Sequence, residues 1–154
     1  MASLNSFDRV VEVQTMRRDD ALRALGLARQ AQDHAEQQLR QLQDYTDEAE
    51  MRWKHRASQG VTPQLLHHHR QFMGRIDEAI RFQDDVINRL KGDVEHCEQT
   101  VLLAERELAS LSRFVERKRM EQLQHLERQE QKRNDEMAAN VHRRQQQAQN
   151  WRPQ

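Results

Sequence analysis

A seven-residue repeat in the second half of the chain limits what the protein can fold into. From Leu66 to Val115 every seventh residue is apolar, over eight positions without a miss. These positions are Leu66, Met73, Ile80, Ile87, Val94, Val101, Leu108 and Val115. The residues at the second seam position are His69, Ile76, Gln83, Leu90, Cys97, Ala104 and Leu111. This spacing keeps one stripe of a long helix facing a partner helix, so it predicts a coiled coil.

The first half of the chain carries a second, weaker seam. One set of its positions holds Leu4, Val11, Arg18, Leu25, Gln32, Leu39, Thr46 and Trp53. The other set holds Phe7, Gln14, Ala21, Ala28, Ala35, Leu42 and Ala49. A helix breaker lies between two seams of similar length, which predicts an all-α fold in which the chain turns back on itself as an antiparallel two-helix hairpin.

The breaker is the segment 58–63, which has the residues of a helix–loop–helix connection. Gly60 is suited to a left-handed helix cap, Thr62 to capping the next helix and Pro63 to its first turn. We therefore predict helix one over about 3–57, a loop at 58–62, helix two from 63 to about 145 and a frayed tail at 146–154. Residues 1–154 would form a single elongated coiled-coil domain, with helix two overhanging at the carboxy-terminal end. Facing residues would have numbers that add to about 120, which puts Leu4 near residue 116.

The composition agrees with an extended helical protein. Hydrophobic residues make up 36% of the chain, below the roughly 45–50% of a globular domain. The 25 Lys and Arg residues balance the 25 Asp and Glu residues, which separates the chain from disordered sequences of high net charge. No segment resembles a membrane span or a signal peptide. We therefore expect a cytoplasmic protein.

The residue patterns do not indicate an enzyme, a cofactor or a metal site. Three consecutive residues, His67 to His69, point in directions about 100° apart on a helix, whereas helical metal ligands need a spacing of three or four. The basic residues in 113–119 are interrupted by Glu116 and lack interleaved aromatic residues, which disfavours nucleic-acid binding. Cys97 is the only cysteine and lies on a seam, so we interpret it as a packing residue.

Two features favour binding to other proteins. Tyr45, Trp53 and Phe72 converge near the loop in the predicted register, either to close the end of the hairpin or as a docking patch. The segment from about 117 to 150 extends beyond the seams and holds few apolar residues. A solitary helix of this kind is marginal in water, so we expect it to fray unless a partner receives it.

Several motifs resemble the flagellar FliJ family over nearly the whole chain. They are the step from Leu42 to Tyr45, the stretch from Gln71 to Ile80 and the late stretch Glu130 to Ala138. The resemblance implies a non-enzymatic stalk and escort component of the flagellar type III protein export apparatus, required for flagellum biogenesis and motility. Its implied partners are the hexameric export ATPase, the cytoplasmic domain of the membrane export gate and export chaperones. The implied location is the cytoplasmic face of the cell membrane at the flagellar base, without membrane insertion.

The resemblance also assigns two sets of contact residues. The set implied for the export gate, in the middle of the hairpin, is Gln38, Leu42, Tyr45, Phe72, Ile76 and Ala79. The set implied for the export ATPase, which receives both chain ends, is Gln131, Lys132, Asp135 and Glu136, and the positive charge after the seam adds Arg117 and Arg119. The chain departs from the family pattern at Ala49 and Gln83, where an aromatic residue and a histidine are expected. Three alternatives stay open: the equivalent stalk of a virulence injectisome, a generic coiled-coil scaffold or adaptor, and a nucleic-acid-binding hairpin.

Overall fold

The computed structural model describes residues 2–151 and residue 153, with side chains described from residue 5 onward. It contains two helices, α1 from Ala2 to Ala57 and α2 from Pro63 to Asn150. The helices pack against each other as an antiparallel hairpin, and no strand occurs in the described part of the chain. This confirms the predicted fold class. The packing divides the chain into two units, which we call the loop-side unit (residues 14–106) and the chain-end unit (residues 1–13 and 107–154).

The connection between the helices has the geometry that its sequence predicts. Gly60 has φ 99°, in the left-handed region that glycine occupies without a steric penalty. Its amide donates a hydrogen bond to the carbonyl oxygen of Ala57 (3.2 Å) and so closes the end of α1. The hydroxyl of Thr62 accepts a hydrogen bond from the amide of Leu65 (3.2 Å), as an N-cap residue does. Pro63 follows as the first residue of α2.

The two seams form the contact between the helices within each unit. Every seam residue with a described side chain is buried or half-buried, and the side chain of Leu4 lies outside the described part. In the loop-side unit, the best-covered cluster consists of Ala21, Leu25, Val101 and Ala104. In the chain-end unit, Val115 is buried and Val11 is half-buried. Small alanines and larger aliphatic residues are therefore combined in one cluster, which fills the space between two close helices.

The contacts confirm the predicted register within about one helical turn. In the loop-side unit, Tyr45 meets Phe72 and Trp53 meets His69. In the chain-end unit, Phe7 meets Phe114. The two residue numbers in each of these pairs add to about 120, as an antiparallel turn at Gly60 requires.

The second helix continues farther than the sequence pattern indicates. We predicted its end near residue 145, whereas α2 continues to Asn150. The residues after 144 are Gln145, Gln146, Gln147, Ala148, Gln149 and Asn150. They include good helix formers and no glycine or proline, so nothing breaks the helix before Pro153. The division into a single domain with a frayed tail stays a prediction.

Candidate protein-binding sites

An aromatic pair near the loop links the two helices and remains accessible to solvent. The rings of Tyr45 on α1 and Phe72 on α2 meet edge to face, with centroids 6.0 Å apart and an interplanar angle of 72°. Tyr45 is 47% exposed and Phe72 is 41% exposed. Both rings thus contribute to helix packing and keep surface available for a partner, the combination found in aromatic interface anchors.

The third aromatic residue of this region is stacked. The indole of Trp53 lies parallel to the imidazole of His69, with centroids 4.0 Å apart and an interplanar angle of 4°. His69 is half-buried, whereas His67 and His68 are exposed and their ring centroids are 6.4 Å apart. No group of three or more metal-ligating side chains occurs among the residues that the structure describes. The stack assigns His69 to packing at the loop end of the seam.

The residues implied for gate contact fall into three environments. Gln38, Leu42 and Tyr45 line one groove of the loop-side unit. Phe72 lies on the opposite helix against Tyr45, and Ala79 is exposed farther along α2. Ile76 differs because it is only 7% exposed and belongs to the core between the helices.

The two residues that depart from the family pattern, Ala49 and Gln83, both lie beside residues implied for gate contact. Ala49 lines a groove together with Tyr45, Phe72 and Trp53. The side-chain amide of Gln83 donates hydrogen bonds to the backbone carbonyl oxygen of Ala35 (2.9 Å) and to Oε1 of Gln38 (3.2 Å). Gln83 therefore ties α2 to α1 at one edge of the groove lined by Gln38, Leu42 and Tyr45.

The chain-end unit has an aromatic pair of its own. Phe7 on α1 and Phe114 on α2 meet edge to face with centroids 5.9 Å apart. The ammonium of Lys118 lies 5.7 Å from the centroid of Phe114, within the range of a cation–π interaction. The side chain of Arg119 pairs with the carboxylate of Asp8. These contacts fasten the start of α1 to α2.

Beyond this fastening, α2 is open to solvent along its described side chains. Each described side chain from Leu123 onward is exposed. The exposed apolar side chains of this segment are Leu123, Leu126, Met137, Val141 and Trp151. We call residues 123–150 the exposed helix.

The residues predicted for ATPase contact lie on both sides of Leu123, where the exposed helix begins. Gln131, Lys132, Asp135 and Glu136 all lie in the exposed helix. Arg117 is exposed just before it. The guanidinium of Arg119 is engaged by Asp8, so a partner would meet Arg119 as half of an ion pair.

Sequence reasoning missed the residues on α1 that shape this end. Asp8 and Arg119 line a groove with Gln122, Leu123 and Leu126. The only signal in the sequence was the register, which brings residue 8 near residue 112, about two turns before Arg119. A register known to one turn does not say which charged side chains meet, because each helical turn offers several directions.

The described helices contain none that is long and apolar enough to cross a lipid bilayer. The fold defines a helical-hairpin protein with apolar and aromatic side chains on its exposed surfaces. Residues 3–147 match the model of a protein family described as "Flagellar FliJ protein". The chain belongs to this FliJ family, whose members are non-enzymatic components of type III protein export.

Comparisons with individual proteins say less about this chain than the family match does. No curated protein matches the chain. A solved structure described as a YscO homologue from Chlamydia trachomatis is 20% identical, with a TM-score of 0.45. The match covers 90% of this chain and 94% of that chain.

Proposed function

We propose that the chain is a stalk of the flagellar export apparatus, which inserts its chain-end unit into the hexameric export ATPase. The observation that carries this proposal is the exposed helix, whose apolar side chains include Leu123, Leu126 and Met137. A single helix gains most of its stability from packing. When another protein covers its leucines and methionine, apolar surface is removed from water, which stabilises the complex.

The charge of the carboxy-terminal part of the chain, residues 113–154, supports a protein receptor that orients the helix. Residues 113–154 hold 10 Lys and Arg residues against 6 Asp and Glu residues, a net charge of +4. Acidic loops around the pore of a ring would attract such a segment and fix its orientation. The stalk itself breaks no bonds. By fitting one arrangement of the ring better than the others, it would favour ring assembly and sequential hydrolysis.

The ATPase contact is tested by measuring hydrolysis by the purified flagellar export ATPase with and without the full chain. We expect the chain to raise the rate, and alanine at the four positions Gln131, Lys132, Asp135 and Glu136 to reduce that stimulation. A matched control replaces Asp85, Glu95, Gln99 and Arg106 with alanine. These are also exposed residues of α2 and also comprise one Gln, one cation and two acids. Equal stimulation by both variants would contradict the assignment.

We further propose that the exposed surface around Tyr45 and Phe72 binds the cytoplasmic domain of the export gate. The support is geometric. Side chains from both helices meet here, with two aromatic rings that are packed yet partly accessible. The groove beside them is lined by Gln38 and Leu42, which would supply polar and apolar contacts around an aromatic anchor. Contact with the gate would hold the chain at the cytoplasmic face of the membrane, where it would escort export chaperones.

The gate contact is tested by the affinity of the full chain for the gate's cytoplasmic domain. Phe72→Ala should weaken binding about 30-fold, because loss of an aromatic anchor costs about 2 kcal/mol. Phe82→Ala is the matched control, since Phe82 is on the same helix, is 70% exposed and lies outside the surface. It should bind as the unchanged chain does. If Phe72→Ala lowers the melting temperature without changing affinity, Phe72 is a packing residue and the proposed surface is wrong.

A further inference from the structure

The end of the hairpin beside the loop contains no carboxylate side chain. From Met51 to Ile76 the chain has five Lys or Arg residues, four His residues and no Asp or Glu. We call this stretch the loop-end segment. The rest of the chain holds the remaining 20 Lys and Arg residues against all 25 Asp and Glu residues. A neutral chain therefore concentrates positive charge at one end of its loop-side unit.

The cations of the loop-end segment are accessible. Arg52 pairs with Glu48 on the same helix, at 3.6 Å. The other four are exposed and take part in no ion pair with any residue that the structure describes: Lys54, Arg56, Arg70 and Arg75. Because their charge is not neutralised within the protein, it is available to an external anion.

Helix stability accounts for only part of this charge. Lys54, His55 and Arg56 lie in the last turn of α1, where cations interact favourably with the helix dipole. The first turn of α2 has no acidic residue, although an acidic residue there would be favourable. Arg70 then adds a positive charge about two turns into α2. The interaction with the helix dipole therefore accounts for the cations of α1 but not for Arg70 on α2.

The arrangement of the side chains favours a broad anionic surface. On α1, the side chains of residues 54 and 56 are about 160° apart around the helix axis, and Arg70 comes from the other helix. Val61 lies in the loop and is 39% exposed. The aromatic ring next to Lys54, that of Trp53, is already stacked on the imidazole of His69. Cations around an exposed apolar residue at the turn suit a layer of lipid headgroups, whereas stacking on nucleic-acid bases requires free aromatic faces.

We propose that the loop end of the hairpin binds the anionic headgroups of a membrane surface. Lys54, Arg56 and Arg70 make the electrostatic contact, and Val61 enters the headgroup layer. The partner in this contact is lipid, whereas the ATPase and the gate are proteins. It would orient the loop-side unit toward the membrane while the chain-end unit engages its own partner.

The test is co-sedimentation of the full chain with vesicles, at about 0.1 M salt. One vesicle preparation contains phosphatidylglycerol in phosphatidylcholine, and the other contains phosphatidylcholine alone. We expect binding to the anionic vesicles only. Replacing Lys54, Arg56 and Arg70 together with glutamine should weaken binding about 100-fold, because each Lys or Arg near an anionic surface contributes about 1 kcal/mol, or about fivefold in affinity.

The matched control replaces Arg81, Arg89 and Lys91 with glutamine. These residues of α2 are exposed and take part in none of the ion pairs of the described residues, and the control has the same net charge as the test variant. It should lose only a small fraction of the affinity. Glutamine is a good helix former, and circular dichroism checks that both variants keep their helices. Val61→Asp provides a second test within the loop and should also weaken binding.

Three results would overturn the proposal. Equal loss of affinity in the test and control variants would show that net charge, and not the loop end, determines binding. Equal binding to both vesicle preparations would show that the charge of the headgroups does not determine binding. Binding of the loop-end segment to polyglutamate or to an oligonucleotide, without binding to anionic vesicles, would assign this surface to an acidic protein or a nucleic acid.

Discussion

The side-chain amide of Gln83 on α2 donates a hydrogen bond to the backbone carbonyl oxygen of Ala35 on α1, at 2.9 Å. Ala35 is buried and Gln83 is half-buried, so the bond crosses the packed face of the loop-side unit. The same nitrogen also reaches Oε1 of Gln38 at 3.2 Å. A polar residue on the seam thus fixes the position of one helix along the other, which an apolar seam residue does less specifically.

Replacing Gln83 with alanine should lower the free energy of unfolding by about 1 kcal/mol, since that is the usual net contribution of a hydrogen bond. Chemical denaturation monitored by circular dichroism measures this change. Gln99→Ala is the control, because Gln99 is exposed on the same helix, and it should leave stability unchanged. Equal stability of both variants would mean that the Gln83 contact contributes nothing to the hairpin.

The seam is tested by two leucines of α1 that lie two positions apart. Leu25 is 7% exposed and belongs to the buried cluster, whereas Leu27 is 68% exposed. Leu25→Ala should cost about 2 kcal/mol or more, because it leaves a cavity in the core. Leu27→Ala should change stability by less than about 0.5 kcal/mol. The reverse order would place the seam on the wrong face of α1.

Two glycines should respond in opposite directions to alanine. Gly60 has φ 99°, a conformation that alanine adopts only with strain, so Gly60→Ala should destabilise the hairpin by about 1 kcal/mol or more. Gly92 lies within α2, and a Cβ added there would meet nothing within 4 Å. Gly92→Ala should therefore raise stability by up to about 1 kcal/mol. Thermal unfolding measures both changes: the melting temperature should fall for Gly60→Ala and rise for Gly92→Ala.

The intramolecular nature of the hairpin is tested by cysteine crosslinking. Ala21 and Ala104 lie in the same buried cluster. In a chain with Cys97→Ser, cysteines at these two positions should be joined within one molecule by a short crosslinker at micromolar protein concentration. A pair at positions 21 and 79, far out of register, should not be joined. Products of twice the chain mass alone would indicate pairing between two chains.

Much of the fold follows from short-range rules that the sequence displays. The seven-residue repeats identify the buried stripes, and Gly60, Thr62 and Pro63 specify the connection. The register then follows from where the seams stop, and the contact of Tyr45 with Phe72 agrees with it.

The polar contacts could not be predicted in the same way. The pairing of Asp8 with Arg119 and the bond from Gln83 to Ala35 depend on side-chain rotamers and on a register known to better than one turn. The carboxyl end of α2 was also misplaced, because no capping residue marks it and polar helix formers continue past residue 145. The partners of the exposed surfaces are absent from the sequence pattern altogether, since one chain records only half of an interface.

The central claim is that the exposed helix engages the export ATPase. The direct measurement is the hydrolysis rate of the flagellar export ATPase with the full chain and with a chain that ends after Leu126. The shorter chain keeps the pairing of Asp8 with Arg119 and the groove beside it, so its hairpin should melt at an unchanged temperature. A chain that ends after Asn150 controls for truncation itself.

We predict that the full chain and the chain ending after Asn150 both stimulate hydrolysis, and that the chain ending after Leu126 does not. Stimulation should weaken as salt rises above about 0.15 M, where the screening length falls below about 8 Å. If the chain ending after Leu126 stimulates the ATPase as strongly as the full chain, residues 127–150 of the exposed helix do not bind the ATPase and the proposed stalk function is contradicted.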